Sequence, residues 1–322
     1  MTSIVEQIQS SHLADLKTFI TGLPHLPTDW DITRKHEDRV ELQMHALKCA
    51  LEAGPAWVSI QNGIIDGFAT LRSLAWDTEF FQQPMAVCDF LRATNPNSAE
   101  TLIRKVATTS DDLGIQHVRH VVDVRDHELV HTLQENSWQM VWACNRVVCD
   151  TATHQHPPFD VSVEGLQVVE TSEEHLPSLL AITEELPRYN WPEFDLSIEP
   201  KFRNQYVRTR MRNCVLGDFA DLCLTLLYRG NPIGFNASKI QQQPDCVPRP
   251  THFSFERDMF VSQHSVPGVG HAFQKEVVRR MGQKVRYMLG QVRLDGIAMF
   301  HTIHSAGFRP WGGNLYMVLR SQ

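Results

Sequence analysis

Two hydrophobic periods share this chain, and together they predict its elements almost from end to end. Trp57–Ile60 and Ile64–Leu71 flank the Asn-Gly turn Gln61-Asn62-Gly63, and apolar residues alternate over Leu222–Tyr228 and Ile233–Ile240 around Arg229-Gly230-Asn231-Pro232. Alternation broken by such a turn predicts a β-hairpin. Helical spacing runs through His12–Ile20, Glu37–Ala53 (stopped by Gly54-Pro55), Ser98–Gly114, Asp126–Asn136, His175–Leu186, Glu199–Asn213, His271–Gly282 and Gly296–Ser305. Ser98 is expected to cap its helix, and Thr171-Ser172-Glu173-Glu174 to open the next half's first helix as a capping box. Further strands are expected over Met85–Leu91, His117–Val124, Trp138–Cys149, Val161–Val169, Ser254–Val261, Lys284–Val292 and Asn314–Arg320.

That order of elements occurs twice. His131-Thr132-Leu133 ahead of Ser137-Trp138 is echoed by His301-Thr302-Ile303 ahead of Gly307-Phe308, an offset of 170 positions. The chain therefore reads as two related halves: residues 1–150, a linker over 151–160, and residues 161–322. The linker holds His154-Gln155-His156-Pro157-Pro158. Its His-x-His has no acidic or thiol partner nearby in sequence, so no metal site is expected. The halves differ at one loop. Arg92-Ala93-Thr94-Asn95-Pro96-Asn97 has no glycine, and its proline has no N–H to offer. Val266-Pro267-Gly268-Val269-Gly270 instead places two glycines before a helix start, where backbone N–H groups can converge on an anion.

Composition narrows the field. The 322 residues are 42% hydrophobic and 21% charged, ordinary for a chain with a sizeable core. A formal charge of −7 argues against nucleic acid as a partner. The seven cysteines are scattered and odd in number, as expected of reduced thiols and not of a disulfide frame or zinc knuckle. The N-terminus is too polar for a signal peptide and no apolar run reaches spanning length, so a cytoplasmic protein without a membrane partner is expected. Oligomeric state is left open.

The strand, G-x-G loop, amphipathic helix, strand, short helix and Ala306-Gly307-Phe308 before a closing strand resemble the GNAT superfamily of acyl-CoA-dependent N-acyltransferases, over residues 163–322. Leu74-Ala75-Trp76-Asp77-Thr78-Glu79-Phe80-Phe81, otherwise an aromatic-rich loop, is similar to a stretch of nucleotide-amino-sugar N-acetyltransferases of the dTDP-fucosamine type. Those relatives usually continue with Gly, where this chain has Gln82. The resemblance implies an α/β fold of two tandem GNAT-like modules, each a mixed, mostly antiparallel sheet flanked by helices, with the first module not binding CoA.

It also implies acetyl-CoA or another acyl-CoA as co-substrate and a small-molecule amine as acceptor. Val266, Gly268, Val269, Gly270 and His271 would hold the pyrophosphate, and Met259, Phe260 and Val261 would pair with pantetheine. Tyr189 and Trp191 would lie near the acceptor. Amide formation from a thioester needs a base, and Glu256 and Asp258, two apart and so expected on one strand face, are the candidates. Where many members carry a tyrosine acid, four residues before the Gly of Gly307-Phe308, this chain has Ile303; His304 is the titratable alternative, with His301 behind it. The usual arginine and first glycine of the phosphate loop are replaced by Ser265 and Val266, Pro267 removes one N–H donor, and Asp295-Gly296 stands in place of a common asparagine. A binding module without catalysis, and decarboxylation or S-acyl transfer on the same fold, are the alternative readings. The cations Lys201, Arg203, Arg208, Arg210 and Arg212 go round their helix and are expected on a solvated face.

Overall fold

The computed structural model describes residues 4–31, 33–154, 156–157, 159, 164–186, 190–262 and 267–320. In chain order the first half forms β1 (Ile4–Gln7), α1 (Leu13–Thr21), α2 (His36–Ala53), β2 (Ala56–Gln61), β3 (Ile64–Thr70), β4 (Arg72–Ser73), α3 (Ala75–Phe81), β5 (Met85–Cys88), β6 (Leu91–Ala93), α4 (Pro96–Asp112), β7 (His117–Asp123), α5 (His127–Glu135) and β8 (Gln139–Asp150). The second forms β9 (Leu166–Glu170), α6 (Leu176–Glu185), α7 (Trp191–Phe194), α8 (Pro200–Leu216), β10 (Leu222–Tyr228), β11 (Asn231–Gln242), β12 (His252–Val261), α9 (Val269–Met281), β13 (Tyr287–Arg293), α10 (Ile297–Ser305) and β14 (Arg309–Arg320). The internal repeat holds for whole elements: β7 and β13, α5 and α10, and β8 and β14 start and end 170 residues apart.

The chain packs as two units. The first comprises Met1–Ala143, Pro244–Pro248 and Gly312–Gln322. Its strands β1, β2, β3 and β6 pair antiparallel in that order. A further set pairs β4 with β5 antiparallel, β5 with β7 parallel, and β7 with β14 antiparallel. Leu102, Val106, Leu133 and Met317 are buried in one core, and Leu16, Ile20, Leu47 and Phe68 in the other.

The second unit comprises Cys144–Gln243 and Arg249–Trp311. Its strands run β9, β10, β11, β12, β13, β8; all neighbours are antiparallel except β12 and β13, which are parallel. On one face, α9 and α10 cover a core of Leu224, Leu226, Phe273, Val277 and Met288. On the other, α6 and α8 pack Leu179, Met211 and Cys214 against Phe235, Ala237 and Phe260.

A cut at residue 150 differs from this arrangement. Cys144–Asp150 pairs with β13 in the second unit, while Asn314–Arg320 pairs with β7 in the first. The closing strands are repeat equivalents, yet each pairs in the unit opposite to its own half of the sequence. Pairing over long sequence distances, not local pattern, decides which edge each takes.

Three local expectations change. Leu74–Phe81 is helical from Ala75, not a loop: Trp76 and Phe80, one turn apart, stack at 5.1 Å with planes 4° from parallel. Asn95, not Ser98, caps α4, accepting from the Ser98 N–H at 3.0 Å, because Pro96 takes the first helical position. In the second half the reciprocal cap joins Ser172 to His175 in place of Thr171 and Glu174. Among the described residues no helix is long and apolar enough to cross a membrane, and no group of potential ligands could hold a metal ion.

Candidate functional site

The site is built where two parallel strands part. β12 and β13 are paired only over Phe253–Phe255 and Tyr287–Leu289. Beyond that point, Glu256–Val261 stays bonded to β11 on one side, and Gly290–Arg293 stays bonded to β8 on the other. Their facing edges therefore diverge. An extended ligand arm can add to such an edge through main-chain hydrogen bonds, with Met259, Phe260 and Val261 on the strand that would receive it.

A β-bulge sits at the fork. Ala237 pairs with Asp258 but Ser238 pairs with Glu256, which leaves Arg257 as the extra residue. The expectation that Glu256 and Asp258 share a face fails for this reason. Glu256 turns toward α9, where Gln274 Nε2 donates to its Oε1 at 2.7 Å, and Asn236 Nδ2 on β11 donates to the same oxygen at 3.1 Å. Asp258 turns to the opposite face, is buried, and meets Arg210 of α8 at 3.4 Å. Burial pushes the Glu256 carboxyl above its usual range, and the two amide donors pull back against that shift. Of the two carboxylates, Glu256 is the one at the fork with a raised proton affinity; Asp258 is tied into a structural ion pair. Gly290 faces Glu256 across the fork, where an added Cβ would stand 3.1 Å from Oε2.

Following β12, Gly268 is left-handed at φ +82° and forms the N-cap of α9. Among the described residues no side chain caps this end, so the N–H groups of the first turn, from Val269, Gly270 and His271, point outward at the positive end of the helix dipole. Val269 is buried; Gly268 is exposed; Gly270 and His271 are half-buried. A Cβ at Gly268 would meet open space, so the glycine is there for its backbone angle. A Cβ at Gly270 would touch Thr302 and Val261 at an ordinary 3.9 Å. Two substitutions separate these roles. Gly268→Ala should cost about 1–2 kcal/mol from the left-handed backbone alone. Gly270→Ala should raise stability by about 0.5–1 kcal/mol, while raising the KM for a ligand whose phosphates approach that backbone. Thermal melts and steady-state kinetics on both variants check the opposite signs. Val266 lies outside the described residues.

The remaining site residues are dispersed. His304 is exposed on α10 and stacks on Phe300 of its own helix, 6.4 Å between ring centres. It is Thr302 that α10 lays beside Gly270. Ile303 is buried in the core with no group to donate. Tyr189 lies outside the described residues. Trp191 is 7% exposed, a packed residue at the start of α7 and not a surface one. Phe194, at the end of α7, lies under the Arg293 guanidinium at 4.9 Å, which sets α7 beside the end of β13. The arginine row also needs correction: Arg210 is 12% exposed and turned inward. It donates to Asn190 Oδ1 at 3.0 Å and to the Arg257 carbonyl, so it ties the cap of α7 to the bulge.

Asn236, Gln274 and Gly290 do not stand out in the sequence as site residues. A signal existed for two of them. Asn236 interrupts the apolar run Phe235-Asn236-Ala237, and Gln274 lies one turn from both Gly270 and Val278 on the buried stripe of α9.

The first unit contrasts with this site at equivalent positions. β5 pairs with β7 as Met85 with His117 through Cys88 with His120, so Cys88 and His120 stand where Glu256 and Gly290 do. The His120 ring is buried and its Nδ1 bonds the Cys88 carbonyl at 2.8 Å. Burial drives the Cys88 thiol up to about 12 and the His120 imidazole down to about 3, so neither exchanges protons near neutrality. At the start of α4, the buried Asp66 carboxylate accepts from Ser98 Oγ at 2.5 Å and Asn95 Nδ2 at 3.3 Å. That places a buried carboxyl group at a helix start whose counterpart in the second unit carries no side-chain cap among the described residues.

No family model matches the chain, and no curated protein sequence does. Solved structures do. A tandem GNAT protein from the clavulanic acid biosynthesis pathway is 12% identical, with 99% of this chain and 98% of that one covered and a TM-score of 0.53. A GCN5-related N-acetyltransferase from Sphaerobacter thermophilus is 11% identical, with 99% and 95% covered and a TM-score of 0.60. A GCN5-related glucosamine N-acetyltransferase region of a fungal multi-domain β-N-acetylglucosaminidase is 12% identical; 98% of this chain matches 38% of that one, with a TM-score of 0.58. Identities this low speak for architecture and not for substrate, and the architecture is that of the tandem GNAT proteins.

Proposed function

We propose that the chain is an acyl-CoA-dependent N-acyltransferase acting on a small-molecule amine, with its chemistry in the second unit and a first unit that shapes or supports without binding CoA. The observation that carries this reading is the fork between β12 and β13, with Glu256 inside it and the uncapped start of α9 beyond it. A bound acyl-CoA would supply the activated thioester. Gly268, Val269, Gly270 and His271 would receive its diphosphate, and the open edge at Met259–Val261 its pantetheine arm. The amine nitrogen attacks the thioester carbonyl; the C–N bond forms, the C–S bond breaks, and CoA leaves as thiolate. Glu256 takes the proton that the nitrogen sheds. With Ile303 where a donor would help, the thiolate takes its proton from water or from His304.

An amino sugar is the first acceptor to try. The Leu74–Phe81 stretch resembles nucleotide-amino-sugar acetyltransferases, and one structural relative is described as a glucosamine N-acetyltransferase region. The decisive assay follows free thiol released from acetyl-, malonyl- and longer acyl-CoA, with and without an amine panel. Amine-dependent release is expected. Amine-independent thiol release would point instead to hydrolysis. Decarboxylation would leave the thioester intact and show as carbon dioxide from malonyl-CoA without thiol, and transfer to a thiol would show as an acylated thiol acceptor with no net change in free thiol. A second reading, binding without turnover, is favoured by the buried Ile303; it predicts heat on titration with CoA but no thiol. No heat at millimolar CoA would remove both.

A further inference from the structure

Glu256 is held asymmetrically. Both amide donors, Asn236 Nδ2 from β11 and Gln274 Nε2 from α9, reach the same oxygen, Oε1. The other oxygen, Oε2, lies toward Gly290, where the absence of a side chain leaves it room. Asn236 and Gln274 are both fully buried. Asn236 is itself oriented, since its Oδ1 accepts from Ser238 Oγ at 3.3 Å. Gln274 leaves its own Oε1 buried with no hydrogen-bond partner among the described residues, a cost that an apolar residue would avoid. A buried amide that gives up one bond in order to donate the other to a carboxylate serves the carboxylate.

From this geometry we propose that Asn236, Gln274 and Gly290 are positioning residues: the two amides clamp Oε1, and the missing side chain at 290 keeps Oε2 free as the oxygen that takes the acceptor's proton. The proposal rests on the reading of Glu256 as the base. In the transfer step the nitrogen bonds to the acyl carbon, the thiolate leaves, and the nitrogen's proton moves to Oε2, from which water carries it off. Carboxylates accept only, so both amides must present N–H while Glu256 is ionised; protonation removes part of what they hold. The remaining faces of the site add little charge. Asn236 and Ser238 from β11, Gln274 from α9 and Gly290 from β13 carry none. Cys149 from β8 is a thiol pushed up to about 12, by burial first and by the Glu256 charge second, so it stays neutral across the working range.

The test uses the full chain, with Gln274→Met and Asn236→Ala as variants and Glu256→Gln to assign the signal. The Glu256 titration is followed by carbon NMR of glutamate-labelled protein, and the acid limb of kcat/KM is followed by thiol release. Each variant should move both upward by about one to two pH units, the worth of one hydrogen bond to a charged group. KM for acyl-CoA should hold within about twofold, since neither amide lies in the phosphate loop. A titration unmoved in both variants overturns the clamp. So does a wild-type Glu256 that stays protonated through pH 8, a result that needs no variant to fold. If the NMR titration moves as expected but no acyl-CoA is turned over, the clamp stands and the transferase reading falls. Turnover with an unmoved titration removes the clamp and leaves the transferase reading standing.

Discussion

Glu256→Gln should lower kcat/KM for acyl transfer by about 10²- to 10⁴-fold, the range of a positioned general base, with acyl-CoA binding unchanged. Glutamine keeps the shape and can still meet the amides of Asn236 and Gln274, but it cannot take a proton. The same substitution carries a sign for stability. Burial raises the Glu256 carboxyl above its unfolded value, so the folded state holds that proton more tightly and ionised Glu256 opposes folding. This penalty is complete above the folded pKa and is relieved as pH falls toward the unfolded one. Glu256→Gln should therefore be at least as stable as the wild type at pH 7, with an advantage that shrinks on acidification. A variant that is slower yet not weaker separates a chemical role from a packing one. Asp258→Asn should show the other pattern, lower stability with chemistry largely spared, because Asp258 faces Arg210 and not the fork. Paired melts and pH–rate profiles decide; equal activity of Glu256→Gln and wild type would remove Glu256 as the base.

Phe273→Ala should have the largest effect on the fold of the second unit. The ring is fully buried on the inner face of α9, in the core shared with Leu226, Val277 and Met288. Truncating a buried phenylalanine costs about 3–5 kcal/mol in lost transfer energy and cavity, on the order of 10 °C in melting temperature for a unit of this size. Activity should fall with it, because Phe273 adjoins Gln274 and lies within the first turns after the glycine cap; loosening α9 moves together the amide that holds Glu256 and the N–H groups proposed to receive the diphosphate. Differential scanning calorimetry should show the loss in one transition while the transition of the other unit is preserved. A melt within about 2 °C of wild type would mean that α9 is not held by this core.

Much of this was legible in residue order. The two hydrophobic periods placed the elements, because strand alternation and helical stripes are local consequences of burying one face. The offset of 170 announced the repeat, and the glycines at 268 and 270 announced a helix start without a capping side chain. The first unit's difference from the second at this loop was half visible: Pro96 and the missing glycine could be read, but not Asp66, which comes from 32 residues before Ser98 to bond at the start of α4.

What residue order determined by itself, then, was which segments become strands and helices, that the pattern occurs twice, and that carboxylates lie on the strand before the glycine loop. Tertiary structure alone decided which carboxylate faces the fork, and which sheet receives each closing strand. The reason is the same in both cases. A bulge at Arg257 exists only relative to the partner β11, and one extra residue sends Glu256 to α9 and Asp258 to α8. Likewise β8 and β14 hold equivalent places in the repeat, and only their pairing with β13 and β7 assigns each to its sheet.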